Sequence, residues 1–212
     1  MERIFLGIDV GTGSVRVGAF DRQGNLKGKG DHATSLWQPR PDFAEQSSEN
    51  IWKATGQAVR ACLKEAQVEP SQVQGLSFDA TCSLVALGEG YEPITVSPTG
   101  KDEQNVMVWM DHRATEQSRA INGRGHEVLR YVGGTISPEM EPPKLMWIKE
   151  NLKETWKRTR KFLDLADFMV YRATGKDRRS LCTTVCKWTY LGHEGASGGY
   201  PAVIDLACPS VA

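Results

Sequence analysis

The sequence predicts a mixed α/β domain, in which an antiparallel meander is followed by strands with helices on their faces. Three apolar segments separated by glycine-containing turns predict the strands of the meander, over residues 3–10, 14–21 and 25–33. The apolar period then changes, and residues 48–66 show the spacing of an amphipathic helix. A meander that leads into alternating strands and helices indicates one or more sheets covered by helices.

The later strands and helices are predicted from the same spacing of apolar residues, alternating in strands and helical in helices. The helix over residues 48–66 has one apolar face, and either Ser47 or Ser48 can cap its first turn. The apolar face consists of Ile51, Ala54, Ala58 and Cys62. Four segments then predict strands: "VQGLSFDA", which ends at Asp79, "SLVALG", which a tight bend pairs with it, "NVMVWM", which leads to Asp111, and "FLDLA".

Helices dominate after Arg113. They are predicted over residues 113–121 and 126–132, from Pro142 or Pro143 onward, and over "FMVYRAT", which Asp167 caps and Gly175 ends. Residues 191–212 are rich in Gly, Ala, Ser and Pro and have no amphipathic period. We therefore expect one domain over residues 1–190 and a divergent, disordered tail over residues 191–212.

Composition narrows the classes of function. The 212 residues carry no net charge, which argues against nucleic acid or an anionic membrane as the main partner. No apolar run is long enough to span a membrane, and the first residues predict a strand rather than a signal peptide, so we expect a cytoplasmic protein. Cys182 and Cys186 lack the second Cys or His pair of a zinc site, which favours reduced, buried thiols.

The turn after the first strand has unusual chemistry for a hairpin. Asp9 ends an apolar strand, two glycines flank a hydroxyl residue, and a second hydroxyl and a cation follow; these are Gly11, Thr12, Gly13, Ser14 and Arg16. The glycines allow the backbone to approach an anion, and the hydroxyls and amides can donate hydrogen bonds to it. Mg²⁺ uses one or two carboxylates together with nucleotide phosphates. The turn therefore suits Mg²⁺ bound to a triphosphate.

Other phosphate-binding patterns fit this turn less well. A dinucleotide fingerprint would need a glycine in place of Arg16 and a helix after it, and no P-loop pattern occurs in the chain. An ordinary hairpin with a capped aspartate remains the structural alternative.

Seven segments in order resemble a known family. They are "GIDVGTGSVRVGAFD", "AEQSSENIW", "GLSFDATCSLV", "VMVWMDHRA", "PPKLMWIKEN", "DLADFMVYRATG" and "SLCTTVCKWTY". Over about residues 3–190 the chain resembles the N-terminal domain of the FGGY carbohydrate kinases, and most of all the D-ribulokinase-like members of the ribulokinase branch. The resemblance implies a ribonuclease-H-like fold of the actin/Hsp70/sugar-kinase superfamily, with ATP held against a second, C-terminal domain.

The resemblance also implies roles for individual residues. Asp9 would contact Mg²⁺, mostly through water, and Gly11, Thr12, Gly13, Ser14 and Arg16 would bind the phosphates of ATP. The implied sugar contacts are Ala80, Thr81, Trp109, Asp111, Glu139 and Lys187. The glycerol kinases have charged residues where Ala80 and Thr81 stand, which favours a ketopentose over glycerol.

Each of these roles has a structural alternative. Trp109 could lie in the core, Asp111 could cap a helix, and Lys187 could be a surface lysine. Asp79 could be a strand-end turn residue or part of the site.

The resemblance implies a catalytic base that this chain lacks. In the family the base is an aspartate in a stretch resembling "DAHAGG", which is absent here, and Asp205 has no such surroundings. We therefore assign no catalytic residue and expect the base to lie beyond this chain, which should be inactive alone. A non-catalytic binding or regulatory module and an actin- or Hsp70-like ATPase are the alternatives. A homo-oligomer or pairing with a C-terminal domain stays open.

Overall fold

The opening meander forms three antiparallel strands in the computed structural model, which describes residues 2–193. The strands are β1 (Ile4–Val10), β2 (Ser14–Phe20) and β3 (Leu26–Ala33), as the sequence predicts. Alternate residues of β1 are buried, as the period of two requires: Ile4, Leu6, Ile8 and Val10. The first sheet has the order β3-β2-β1-β5, in which β5 (Val73–Ala80) runs parallel to β1.

Helix α1 (Ser48–Ala66) packs directly on the backbone of β3. Its N-cap is Ser47, whose hydroxyl accepts a hydrogen bond from the Asn50 N–H at 3.2 Å. A Cβ atom on Gly30 would stand 2.4 Å from the Ala58 carbonyl oxygen, and one on Gly28 would stand 2.5 Å from the Ala66 nitrogen. The two strand glycines therefore allow the helix to approach the sheet closely.

This contact gives a prediction for stability. Gly30→Ala should lower the free energy of unfolding by about 1–3 kcal/mol, because backbone atoms of α1 cannot move away from the added methyl group. Gly75→Ala in β5 is the matched control, since its Cβ would meet the Phe5 ring at an ordinary 3.7 Å. Urea unfolding of both variants checks this. Equal midpoints would contradict the tight helix–sheet contact.

A second sheet corrects one sequence prediction. The segment "SLVALG" forms β6 (Leu84–Leu87), but it does not pair with β5. It lies in an antiparallel sheet of order β4-β7-β6-β8, with β4 (Glu45–Gln46), β7 (Val106–Met107) and β8 (Lys161–Asp164). All four residues of β6 are buried, because Val85 and Leu87 pack in the core with α1 and the first sheet, whereas Leu84 and Ala86 pack with α3 on the other face.

The helices surround this second sheet. They are α2 (Thr115–Asn122), α3 (Glu141–Asn151), α4 (Lys153–Arg158), α5 (Leu165–Thr174) and α6 (Leu181–Trp188), with a 3₁₀ helix over Glu127–Val132. The predicted cap of α5 is wrong. Asp164, rather than Asp167, accepts the capping bond, from the Ala166 N–H at 3.1 Å, so the helix begins earlier than predicted.

The cysteines differ from the prediction in part. Cys62 is buried in the core between α1 and the first sheet, whereas Cys182 and Cys186 are exposed on α6. Cys208 and the predicted tail from residue 194 onward lie outside the described residues. Within residues 2–193, no helix combines the length and apolarity that crossing a membrane requires.

Candidate functional site

Asp9 lies at the carboxyl end of β1, beside two neighbouring strands. Its register partners are Arg16 on β2 and Asp79 on β5. Asp9 Oδ2 accepts a bond from Arg16 Nη2 at 2.7 Å, and the side chains are 49% and 64% exposed. Such an exposed ion pair is weak, so the carboxylate stays accessible to a cation. Asp79 therefore stands beside the candidate site, whichever of its two roles applies.

Hydrogen bonds to its backbone carbonyl groups hold the turn after β1 in place. The Thr12 carbonyl accepts bonds from Thr34 Oγ1 at 2.9 Å and from Gln46 Nε2 at 2.7 Å. The Gly13 carbonyl accepts one from the Thr34 N–H at 3.1 Å, and the Gly11 N–H donates to the Ser14 carbonyl at 3.0 Å. Neighbouring strands thus hold the turn in one conformation.

Two backbone amides of this turn are free to bind a ligand. In the part of the chain that the structure describes, the Thr12 and Gly13 N–H groups donate no hydrogen bond. A Cβ on Gly13 would meet no atom within 4 Å, so the space beside it is open. Free adjacent amides next to a cation bind anions, and phosphate oxygens fit them. These donors and the Asp9 carboxylate fit one side of Mg²⁺ bound to a polyphosphate.

Metal-ligating side chains are sparse here. Among residues 2–193, no three His, Cys, Asp or Glu side chains are grouped so that they could hold a metal ion. Asp9 therefore suits an ion such as Mg²⁺, which takes most of its ligands from phosphate and water.

Trp109 connects the turn to the second half of the site. Its indole Nε1–H donates to Thr12 Oγ1 at 3.0 Å, and its backbone N–H donates to Ser83 Oγ at 3.2 Å. Trp109 is 37% exposed, so it lies at the surface of the site rather than in the core. An aromatic ring fixed in this way can form an apolar wall for the C–H face of a sugar.

Ala80 and Thr81 lie on the other side of the turn. Ala80 pairs with Val10 at the end of β1, and the Thr81 N–H donates to the Val10 carbonyl at 3.1 Å. The short link from Thr81 to Ser83 then crosses from the first sheet to the second. Ala80, Thr81 and the predicted phosphate residues therefore meet where two strands end.

Asp111 requires a correction. Its carboxylate is fully buried and accepts bonds from the Ala44 N–H at 2.7 Å and from Arg113 Nη2 at 2.6 Å, and it also binds Arg113 Nε and N–H. No carboxylate oxygen is left for a sugar hydroxyl. Asp111 does not cap a helix either, because α2 begins at Thr115. Its place is in the scaffold of the loop that carries Trp109.

Arg113 is the centre of that scaffold. Its buried guanidinium also donates to Glu45 Oε1 at 2.8 Å and to the Val96 carbonyl at 2.9 Å, and it lies 3.8 Å from the centroid of the Phe43 ring. Burial raises the pKa of Glu45, and the charge of Arg113 opposes that rise. The cation therefore compensates two buried carboxylates.

The last two predicted residues, Glu139 and Lys187, have partners outside the turn. Glu139 is bonded to His112 Nε2 at 2.8 Å and is partly exposed. Lys187 lies half-buried on α6, and its charge acts on the Cys82 thiol, next to Thr81. No described contact joins either residue to the turn.

The fold and the family are settled by comparison with known proteins. The profile described as "FGGY family of carbohydrate kinases, N-terminal domain" matches residues 4–189. The chain belongs to the FGGY family. An FGGY carbohydrate kinase domain-containing protein of Xenopus laevis is 47% identical over 206 residues, which are 97% of this chain and 37% of that protein. A D-ribulokinase of Saccharomyces cerevisiae is 42% identical over 93% of this chain and 28% of its own length.

Solved structures show the same FGGY fold. A xylulose kinase from Rhodospirillum rubrum aligns with a TM-score of 0.76 at 17% identity, covering 97% of this chain and 40% of that one. A gluconate kinase from Lactobacillus acidophilus aligns with a TM-score of 0.70 at 22% identity, over 83% of this chain and 34% of its own. The predicted ribonuclease-H-like α/β fold is confirmed, since the chain shares the fold of these carbohydrate kinases. The chain spans well under half the length of these FGGY relatives.

Sequence reasoning missed the residues that hold the site together. Thr34, Gln46 and Ser83 fix the turn and Trp109, but isolated polar residues give no local signal of such a role. A buried charged group was missed as well: Glu141, Lys144 and Asp164 are each fully buried. Glu141 and Lys144 stand one helical turn apart within an apolar helix segment, which could have indicated it.

Burial of Glu141 predicts a pH dependence of stability. Burial raises the pKa of Glu141 from its ordinary 4.5 to about 7, so the folded protein holds this proton more tightly than the unfolded chain. Ionisation therefore lowers stability as the pH rises from 4.5 to about 7, by about 3 kcal/mol for this group. Glu141→Gln should remove this loss, so its unfolding free energy relative to wild type should increase over that window. A difference independent of pH would contradict it.

Proposed function

We propose that this chain is the sugar-binding half of an ATP-dependent kinase that phosphorylates a ketopentose such as D-ribulose. The comparisons show the family and show that the chain spans well under half the length of its relatives. The substrate, the nucleotide and the inactivity of the chain alone are our proposals. The observation that carries the proposal is the hydrogen bond from Trp109 Nε1 to Thr12 Oγ1. It joins a turn suited to phosphate with a ring suited to a sugar.

In the proposed kinase, some residues of the chain would bind the charged groups of the nucleotide, and others would orient the sugar. Mg²⁺·ATP, when bound, supplies the phosphoryl group that is transferred. Asp9 would hold the ion, the free amides of Thr12 and Gly13 would bind phosphate oxygens, and Trp109 would orient the sugar. Phosphoryl transfer depends mainly on such positioning and charge stabilisation. No residue among 2–193 is assigned as the base, and Asp205 lies outside the described residues.

Two comparisons support a ketopentose. The 42% identical relative from Saccharomyces cerevisiae is a D-ribulokinase. Ala80 and Thr81 place small, uncharged side chains beside the turn, where the family resemblance implies charged residues in the glycerol kinases. A cytoplasmic location, and a homo-oligomer or a C-terminal domain as partner, stay predictions.

Calorimetric titration tests the proposal directly. The purified chain is titrated with D-ribulose, D-xylulose, ribitol and glycerol, each with and without Mg²⁺·ATP, and ADP release is followed in a coupled assay. We expect D-ribulose to bind most tightly and no sugar-dependent ADP release. Ketose-dependent turnover would contradict the inactivity, tighter binding of glycerol would contradict the substrate, and ATP hydrolysis without sugar would favour an Hsp70-like ATPase.

Trp109 provides the sharpest test of the sugar pocket. Trp109→Ala should weaken D-ribulose binding about tenfold, because the apolar wall is lost. Trp109→Phe keeps a ring but loses the indole N–H that binds Thr12, so an intermediate loss is expected. An unchanged dissociation constant for the alanine variant would remove Trp109 from the sugar site.

A further inference from the structure

A tight turn presents Trp109 to the candidate site. The Val108 carbonyl accepts a hydrogen bond from the Asp111 N–H at 3.0 Å, which closes a four-residue turn around Trp109 and Met110. The Val108 N–H donates to the Ala44 carbonyl at 2.9 Å, so Val108 is also bonded to the chain directly before β4. The direction in which the Trp109 side chain leaves the turn therefore depends on how the Val108 peptide groups are held.

Lys144 on α3 supplies a second donor to the same carbonyl. Its Nζ donates to the Val108 oxygen at 3.1 Å, and its side chain is fully buried. Among residues 2–193, this is the one hydrogen bond that the ammonium group makes, since Glu141 Oε2 is 3.9 Å away and beyond hydrogen-bonding distance. Lys144 therefore joins α3 to the turn through a single backbone oxygen.

A lysine is an unfavourable residue for this buried position. Burial lowers the pKa of the Lys144 ammonium group, and the charge of Glu141 opposes this change. Leu145 and Ile148 on the same helix are buried in an apolar cluster. Replacing a buried ion pair by apolar residues of similar volume is often neutral or stabilising, so stability alone does not account for the lysine. An apolar side chain could not donate a hydrogen bond to Val108.

We propose that Lys144 is a positioning residue that holds the Trp109 ring in the orientation that the sugar requires. The bond to Val108 holds the first residue of the turn. The bond from the Trp109 N–H to Ser83 Oγ holds the second, and the indole N–H then reaches Thr12 Oγ1. The sugar contact of Trp109 rests on the proposed function, whereas the control of its orientation does not.

Exchange of the indole hydrogen measures this orientation without any ligand. The chain contains six tryptophans, and the Trp109 indole resonance is identified as the one missing from the ¹⁵N spectrum of Trp109→Phe. Lys144→Met removes the donor but keeps an unbranched side chain of similar length. The Trp109 indole hydrogen of this variant should exchange with solvent about fivefold faster than in wild type, because a hydrogen bond that holds the turn is lost.

Two further variants control this measurement. Lys149→Met removes a lysine of the same helix that lies over the Trp156 ring, and it should leave the exchange at Trp109 unchanged. Glu141→Gln combined with Lys144→Met removes both members of the buried pair, so it tests the same bond if the single variant does not fold. Wild-type exchange in a folded variant without the Lys144 ammonium group would overturn the proposal. An equal increase in Lys149→Met would overturn it as well, since any change in α3 would then have the same effect.

Sugar affinity separates positioning from a general loss of structure. In Lys144→Met, the dissociation constant for D-ribulose should rise about fivefold, whereas the urea midpoint should stay close to that of wild type. In the Trp109→Ala background, Lys144→Met should weaken binding no further, because the lysine acts through the ring. An equal loss of affinity in both backgrounds would mean that Lys144 acts independently of Trp109, which contradicts the proposal.

Two outcomes distinguish this positioning role from the proposed function. If Trp109→Ala binds D-ribulose as tightly as wild type while Lys144→Met still accelerates indole exchange, the sugar contact fails and the positioning role stands. If Trp109→Ala weakens binding but Lys144→Met changes neither exchange nor affinity, the sugar contact stands and the positioning role fails.

Discussion

Replacing Arg113 by methionine is expected to lower the free energy of unfolding by about 3–5 kcal/mol. The guanidinium compensates Asp111 and Glu45, and all three side chains are fully buried. Methionine has a similar volume but leaves two carboxylates without a cation in a region that excludes water. Because the same network holds the loop that carries Trp109, D-ribulose affinity should fall together with stability. Urea unfolding followed by tryptophan fluorescence measures the first effect.

An exposed arginine provides the control for this loss. Arg158 pairs with Asp102 at 2.6 Å, but the two side chains are 48% and 44% exposed. Arg158→Met should therefore cost at most about 1 kcal/mol. If both methionine variants unfold at the same urea concentration, the buried network contributes no more than a surface pair, and the role assigned to Asp111 is wrong.

Replacing Asp9 by asparagine is expected to have the largest effect on function. The variant keeps the size of the side chain but loses the charge that we propose for Mg²⁺. In a protein that carries this domain and transfers phosphate, the rate should fall about 100-fold or more. In the chain alone, the Mg²⁺-dependent affinity for ATP should fall about tenfold, as measured by calorimetry with and without the metal.

The Asp79→Asn variant distinguishes coordination of Mg²⁺ by Asp9 from a general effect of negative charge. It stands beside Asp9 in the register of two parallel strands and is also exposed. Asp79→Asn removes an equal charge at nearly the same place and should leave most of the Mg²⁺ dependence intact. Equal losses in the two variants would contradict a role in Mg²⁺ binding that belongs to Asp9 rather than to Asp79. Asp9→Asn should remain folded, since it breaks only an exposed pair.

Local patterns were enough to predict the opening meander and α1. The meander, the N-cap at one of Ser47 and Ser48, and the apolar face of α1 depend on residues next to one another in the chain. The turn from Asp9 to Arg16 was also visible as chemistry, because its glycines, hydroxyls and charges are consecutive. The same segments indicated the family that the comparison then showed.

The second sheet could not be predicted in the same way. The apolar run of β6 is compatible with a hairpin to β5 or with a central strand between β7 and β8, and period alone does not separate these arrangements. Which partners a buried strand takes depends on segments more than twenty residues apart. Only the structure therefore shows that residues 81–83 connect the first sheet to the second.

The residue types along the chain set the chemistry that is available: a carboxylate and a glycine-rich turn at one place, and an aromatic ring and a lysine elsewhere. Tertiary structure alone decided which of these groups are accessible. Trp109 lies over Thr12 at the surface, whereas Asp111 and Glu141 are enclosed by segments distant in the chain. The reason is physical: a side chain's type is local, but its burial and its partners are set by how remote segments pack together.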